Sequence, residues 1–156
     1  MPVLVVGADT PVGAIVVKAL SNREGELRCF VTDPDIAAGL RSSSTKVALG
    51  DVSDGSHVGG AGLNCFSMVF MCAAATDMRE RAFCTTPAQV FEQWQEAITM
   101  AGPRRVIWVE DAETAGSGSR IVADEIAVVA GADLSHREIA DRVVALDEAS
   151  DLNTVL

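Results

Sequence analysis

The chain has 156 residues, 49% of them hydrophobic, which predicts a single domain over residues 1–156 with a sizeable core. Its 12 Lys and Arg residues against 22 Asp and Glu residues give a net charge of −10, which argues against nucleic acids and anionic membranes as partners. Tyrosine is absent, so no mechanism can take a phenol from this chain.

Neither a leader segment nor a membrane span is visible in the sequence. The longest apolar stretch, residues 65–75, is well short of the ~20 residues that cross a bilayer. The four cysteines form no C-x-x-C pair, and two of them lie in strand-like apolar runs. We therefore expect a cytoplasmic protein whose thiols are reduced and mostly buried, namely Cys29, Cys65, Cys72 and Cys84.

Short apolar runs alternate with helical patterns along the chain. Strands are predicted, in chain order, at residues 3–6, 27–31, 46–49, 68–72 and 106–109, with a possible terminal strand at 154–156. Helices are predicted at residues 11–20, 35–41, 86–100 and 135–146, the last opened by a capping box. Residues 55–62 fit a poor helix or a loop, and residues 121–130 fit a helix or a strand.

This alternation predicts the arrangement of the whole domain. Strands that are apolar throughout belong to a parallel sheet covered on both faces, so we expect a three-layer αβα sandwich. Right-handed crossovers then give a doubly wound α/β fold with strand order 3-2-1-4-5-6. The loops at the carboxyl ends of the strands are the expected location of a site.

The residues between the first strand and the first helix are the most informative segment. Gly7-Ala8-Asp9-Thr10-Pro11-Val12-Gly13 places two glycines where a helix N-terminus offers free N–H groups to an anion. The second strand ends in Thr32-Asp33, where the ribose of a nucleotide could be recognised. The third ends in Gly50-Asp51-Val52, where an adenine could lie.

These segments, with Ala73-Ala74-Ala75, Arg104 to Val109 and Leu134 to Ala140, resemble the atypical or extended short-chain dehydrogenase/reductase family, of the sugar-epimerase and NmrA-like kind. The resemblance implies a minimal Rossmann fold that binds NAD(P). It also implies that the cofactor contacts are made by Gly7, Asp9, Thr10, Pro11, Val12, Gly13, Thr32, Asp33, Asp51, Val52, Cys72, Ala73, Ala74 and Ala75.

Three residues depart from the cofactor pattern of that family. Thr10 stands where the middle glycine of G-x-x-G-x-x-G lets the backbone approach the pyrophosphate. Asp9 adds a negative charge beside the same position. Asp33 favours NAD, whose 2′-hydroxyl is free, over NADP. Two interpretations of this segment therefore stay open: it binds a cofactor, or it is an inherited strand–helix turn that binds nothing.

The catalytic set that the resemblance implies is missing. The family uses a Ser or Thr after the fifth strand with Tyr-x-x-x-Lys, whereas this chain has no tyrosine and no lysine after Lys46. The fifth strand ends in Glu110-Asp111, a carboxylate pair that could serve as a general base or belong to a solvated acidic loop. The insertions that build a substrate lobe are also absent.

Three functions follow as hypotheses. The first is an NAD(P)-binding protein with a degenerate catalytic site and nonstandard redox chemistry. The second is a non-enzymatic NmrA-like sensor, whose apolar surface a protein partner or a second copy covers, since mean hydropathy is +0.26. The third is a cofactor-independent lyase, isomerase or cyclase that uses Glu110 and Asp111. No metal site is expected, because His57 and His136 lack recognisable partner ligands.

Overall fold

A computed structural model describes residues 1–43, 45–77 and 81–152. Its centre is a six-stranded sheet of order β3-β2-β1-β4-β5-β6, and every neighbouring pair is parallel, so the predicted doubly wound order is confirmed. The strands are β1 (Val3–Val6), β2 (Leu27–Val31), β3 (Lys46–Leu49), β4 (Ser67–Met71), β5 (Arg105–Glu110) and β6 (Glu125–Ala130).

Helices cover both faces of the sheet, as predicted. They are α1 (Pro11–Leu20), α2 (Pro34–Ser42), α3 (Gly55–Ala61), α4 (Ala73–Thr76), α5 (Pro87–Ala101) and α6 (His136–Glu148). Buried side chains of α1, α2 and α6 share one apolar cluster with the sheet, and those of α3 and α5 share another on the opposite face. The α/β sandwich therefore has the expected three layers.

Alternate residues of each central strand belong to opposite layers, which explains why these strands are apolar at every position. Val3 and Val5 pack beneath α1 and α6, whereas Leu4 and Val6 face α3 and α5. The second layer holds an aromatic group in which the Phe70 ring lies 5.1 Å from Trp94 and 5.4 Å from Trp108. Both tryptophans are fully buried and serve packing.

The structure decides the two segments that the sequence left open. Residues 55–61 form α3, whose glycines allow close approach to α5: a Cβ on Gly59 would lie 2.6 Å from Met100 Sδ. Residues 125–130 form the edge strand β6, and a loop precedes them. The strand suggested at residues 154–156 lies outside the described residues.

The crossover from β5 to β6 is the most reduced part of the fold. Among its described residues the only helical segment is a 3-10 turn at Ser117–Arg120. The outer side of β6 is left partly uncovered there, and Val128 is 46% exposed. No helix in the described ranges is both long and apolar enough to cross a membrane.

Candidate functional site at the carboxyl edge of the sheet

The turn that joins β1 to α1 needs its two glycines for close packing. Gly7 adopts a φ of +84°, and a Cβ there would lie 2.8 Å from the Cβ of Ala74. A Cβ on Gly13 would overlap the carbonyl oxygen of Gly7. The start of α1 is thereby pressed against the end of β1, which is the backbone arrangement that brings helix N–H groups to a phosphate.

Thr10 changes this turn, because its hydroxyl group caps α1. Thr10 Oγ1 accepts a hydrogen bond from the N–H of Gly13 at 3.0 Å and donates one to the carbonyl oxygen of Gly7 at 2.7 Å. Pro11 follows as the first helical residue, where a missing N–H costs nothing. One donor at the start of α1 is therefore satisfied within the chain, where the middle glycine of the family pattern would leave it free.

The two aspartates nearest this turn have structural partners. Asp9 Oδ2 accepts hydrogen bonds from the backbone N–H groups of Thr32 and Asp33, at 2.9 and 3.0 Å. Asp33 is the N-cap of α2 and accepts hydrogen bonds from Asp35 N and Ile36 N. Asp9 thus ties the glycine turn to the end of β2, and Asp33 remains exposed at the mouth of the cleft.

Asp51, after β3, has both carboxylate oxygens occupied. Oδ1 accepts from the N–H and hydroxyl of Ser53, which makes an Asx turn, and Oδ2 accepts from Ala82 N at 2.7 Å. Burial by itself would raise the pKa of Asp51, but these hydrogen bonds and the charge of Arg81 outweigh it and hold the pKa below its usual value. The adjacent carbonyl of Val52 accepts from Trp94 Nε1.

Arg81 is a residue of this region that the sequence did not single out. Its side chain is 4% exposed and lies 3.6 Å from Asp51 Oδ1. Nη2 donates to the carbonyl oxygen of Ala74 at 2.7 Å, and Nη1 lies 3.4 Å from Thr32 Oγ1. Because these contacts join segments that are far apart in the chain, no local pattern could have revealed them.

Two cavities open along this edge, on either side of the glycine turn. The first has a volume of about 270 Å³ and is strongly acidic, with Asp9, Thr32, Asp33, Asp35, Asp77 and Arg81 in its wall. The second has a volume of about 410 Å³ and lies between the starts of α1, α4 and α6 and the end of β5. Val12, Ala73, Val109, Glu110, Asp111 and His136 line this second cavity.

The two carboxylates after β5 differ from each other in their surroundings. Glu110 is 6% exposed, and its Oε2 accepts a hydrogen bond from Gly118 N at 2.8 Å. Asp111 is half-buried, and its Oδ1 accepts from the N–H and hydroxyl of Thr114. The alternative of a solvated acidic loop is therefore wrong for Glu110, because the 3-10 turn folds back over it. A general-base role for this pair stays a prediction.

The thiols are buried, as predicted. All four cysteines are free and buried. Burial raises the pKa of Cys29 to about 12 and lifts the pKa of Cys72 well above its ordinary value, although a contact of 3.9 Å with Ser117 Oγ acts in the opposite direction. Cys72 is therefore protonated and fully buried, and it is a poor nucleophile. Within the described ranges no cluster of three metal-ligating side chains occurs.

The comparisons with known proteins identify the fold. No protein-family model matches the sequence, and no curated protein matches it. Several solved structures do match the chain. One is ChuY, an anaerobillin reductase from Escherichia coli O157:H7, which is 15% identical to this chain. The match has a TM-score of 0.69 and covers 97% of this chain and 93% of that one. It is 14% identical to a nucleoside-diphosphate-sugar epimerase from Staphylococcus aureus, with a TM-score of 0.72 over 97% and 68% of the two chains.

A third structure, the triphenylmethane reductase of a Citrobacter species, was solved with NADP(H). It is 15% identical, with a TM-score of 0.59, and the match covers 99% of this chain but 46% of that one. The chain therefore has the Rossmann fold of NAD(P)-binding reductases and epimerases, as the sequence predicted. It spans about half the length of that reductase.

Proposed function

We propose that this protein binds a nicotinamide dinucleotide across the carboxyl edge of its sheet. The observation that carries the proposal is the β1–α1 turn, where Gly7 and Gly13 hold the start of a helix against the end of the central strand. Such a helix N-terminus stabilises a phosphate through its N–H groups and its dipole. In Rossmann folds, dinucleotides bind where the strand order reverses, and this position is the same.

The charges beside β2 favour NAD(H) over NADP(H). Asp33 is exposed where the ribose of the adenosine half would lie, and Asp9, Asp35 and Asp77 line the same cavity. A carboxylate can accept a hydrogen bond from a 2′-hydroxyl, whereas it repels a 2′-phosphate. Arg81 is the single cation among the cavity's described residues, and it is already engaged with Asp51 and Ala74.

The second cavity fits the nicotinamide half. Its apolar wall includes Val12, Val109 and Ile139, which can cover the faces of a flat ring, while Glu110, Asp111 and His136 supply polar groups. When bound, the dinucleotide would supply hydride chemistry. Any proton transfer falls to the titratable groups of this cavity or to water, because the chain has no tyrosine for the usual relay.

The test is a melting-temperature titration with NAD⁺, NADH, NADP⁺ and NADPH. A ligand that binds only the folded state stabilises it by about 2.7 kcal/mol at a hundredfold excess over Kd. We expect NAD⁺ or NADH at millimolar concentration to raise the melting temperature, and NADP⁺ and NADPH to raise it less. The absence of any shift with all four nucleotides would refute the proposal.

A pair of variants in the first turns of α1 locates the binding site. Val12 lines the second cavity, so Val12→Glu places a negative charge beside the nicotinamide half and its phosphate, and we expect it to weaken NAD⁺ binding at least about tenfold. Ala14→Glu adds the same charge to an exposed position of the same helix and should leave binding nearly unchanged. Equal losses in both variants would place the ligand elsewhere.

A further inference from the structure

Residues Arg81–Cys84 form a strap across the ends of β2 and β3. Its backbone is fixed to the turn after β3: Ala82 N donates to Asp51 Oδ2 at 2.7 Å, and Phe83 N donates to Ser53 Oγ at 3.3 Å. The Cys84 thiol lies 3.9 Å from the carbonyl oxygen of Ser53. The strap is therefore attached to the residues that end the third strand, where an adenine could lie.

The side chain of Arg81 extends from the strap into the cleft. Its guanidinium group lies between the ends of three strands, in contact with Thr32 after β2, Asp51 after β3 and Ala74 after β4. The side chain is 4% exposed, yet its Nε is buried and has no hydrogen-bond partner among the described residues. Buried donors without partners are rare in folded proteins, so this contact set is incomplete.

The strap lies against the end of the third strand, which the adenosine half of a dinucleotide would contact. Both oxygens of Asp51 already accept hydrogen bonds from the chain itself, Oδ1 from Ser53 and Oδ2 from Ala82 N. The cavity that remains beside Thr32 and Asp33 measures about 270 Å³, below the ~300–1,000 Å³ typical of ligand sites. The second cavity shares no lining residue with it and does not include Arg81 in its wall.

We propose that the strap is an internal occupant of the adenosine half of the site and that Arg81 determines which nicotinamide nucleotides bind. Adenosine enters only after Arg81 leaves its contacts with Ala74 and Asp51. A nicotinamide mononucleotide needs only the second cavity and binds with the strap in place. This inference rests on the proposed dinucleotide function and assigns its selectivity to a residue outside the glycine turn.

The expected size of the effect follows from the fraction of molecules in which the strap is displaced. Apparent affinity for a ligand falls in proportion to the fraction of the protein that can bind it. Charge-assisted hydrogen bonds such as those of Arg81 and Asp51 are about twice as strong as neutral ones, so we expect the open fraction to be about one in ten. Removing the Arg81 side chain should therefore raise the affinity for adenosine-containing ligands about tenfold.

The experiment measures Kd for NAD⁺, ADP-ribose and nicotinamide mononucleotide by calorimetry with the full chain. Arg81→Ala is compared with Arg142→Ala, which removes the same charge from an exposed position on α6. Ala82→Pro is a second variant, because proline lacks the N–H that binds Asp51. Circular dichroism and melting curves establish that each variant is folded.

We expect Arg81→Ala to raise the affinity for NAD⁺ and ADP-ribose about tenfold and to leave the affinity for the mononucleotide unchanged. Ala82→Pro should show the same pattern. Arg142→Ala should bind all three ligands as the unaltered protein does. Unchanged or weaker NAD⁺ binding in both strap variants would overturn it while the dinucleotide function stands. Failure of every protein, variants included, to bind any nucleotide would instead overturn the proposed function itself.

Discussion

Replacing Thr10 by glycine restores the middle glycine of the family pattern and should act on stability and on binding in opposite directions. The Thr10 hydroxyl makes two hydrogen bonds, to Gly13 N at 3.0 Å and to the Gly7 carbonyl at 2.7 Å. Thr10→Gly removes both. It also frees the Gly13 N–H at the start of α1, where we place the pyrophosphate.

The magnitudes follow from these contacts. Each hydrogen bond contributes a net ~0.5–1.5 kcal/mol, so the free energy of unfolding should fall by about 1–3 kcal/mol. For a domain of this size a loss of 1 kcal/mol lowers the melting temperature by about 2–4 °C, which predicts a total decrease of roughly 2–12 °C. A new hydrogen bond from Gly13 N to a phosphate should tighten NAD⁺ about tenfold, equivalent to ~1.4 kcal/mol.

The assay is urea unfolding of Thr10→Gly for stability, together with calorimetry for the NAD⁺ affinity. Thr86→Gly is the control, since Thr86 caps α5 in the same way, with Oγ1 accepting from Gln89 N, and lines neither cavity. We expect it to lose stability without gaining affinity. Weaker or unchanged NAD⁺ binding in Thr10→Gly would refute the reasoning, because the freed N–H would then not face the ligand.

Two further predictions concern cofactor choice and the opposite end of the sheet. Asp33→Asn should preserve the cap of α2, because Asn caps helices as well as Asp. The change should raise the ratio of NADP⁺ affinity to NAD⁺ affinity about fivefold, because a repelling charge is removed. An unchanged ratio measured by calorimetry would contradict the assigned ribose position. Arg105 is 1% exposed, pairs with Glu125 at 2.7 Å and donates to the carbonyls of Leu146 and Ala149 at the end of α6. Arg105→Met should lower the free energy of unfolding in urea by about 3–5 kcal/mol. Arg104→Met removes an exposed arginine paired with the same Glu125 and should lower it by less than about 1 kcal/mol. Equal losses would show that burial is not the cause.

Much of the fold could be predicted from local patterns. β1, β2 and β3 have the predicted bounds, because each is a short apolar run next to a turn signal. Residues 121–130 were ambiguous, since a strand and a buried helix can share the same apolar density. Pairing with β5, from Arg105 opposite Glu125 to Glu110 opposite Ala130, decides in favour of a strand.

The candidate site was predictable in part. Gly7 and Gly13 were identified from their place between a strand and a helix, and the structure gives each a steric reason. The burial of Glu110 could not be predicted, because it depends on Gly118 turning back across the end of β5. Arg81 was missed for a similar reason, since its partners lie 7 to 49 residues away along the chain.

By itself the sequence determined the layers, the strand order, the glycine turn and the absence of a tyrosine relay, because hydrophobic periodicity, turn residues and composition are properties of the chain read in one dimension. Only the tertiary structure decided which polar side chains are available to a ligand. Asp9, Asp51 and Glu110 look alike as strand-end carboxylates, yet each accepts hydrogen bonds from a different segment of the chain. Such contacts arise when distant segments pack together, and they determine whether a carboxylate binds a ligand or stabilises the fold.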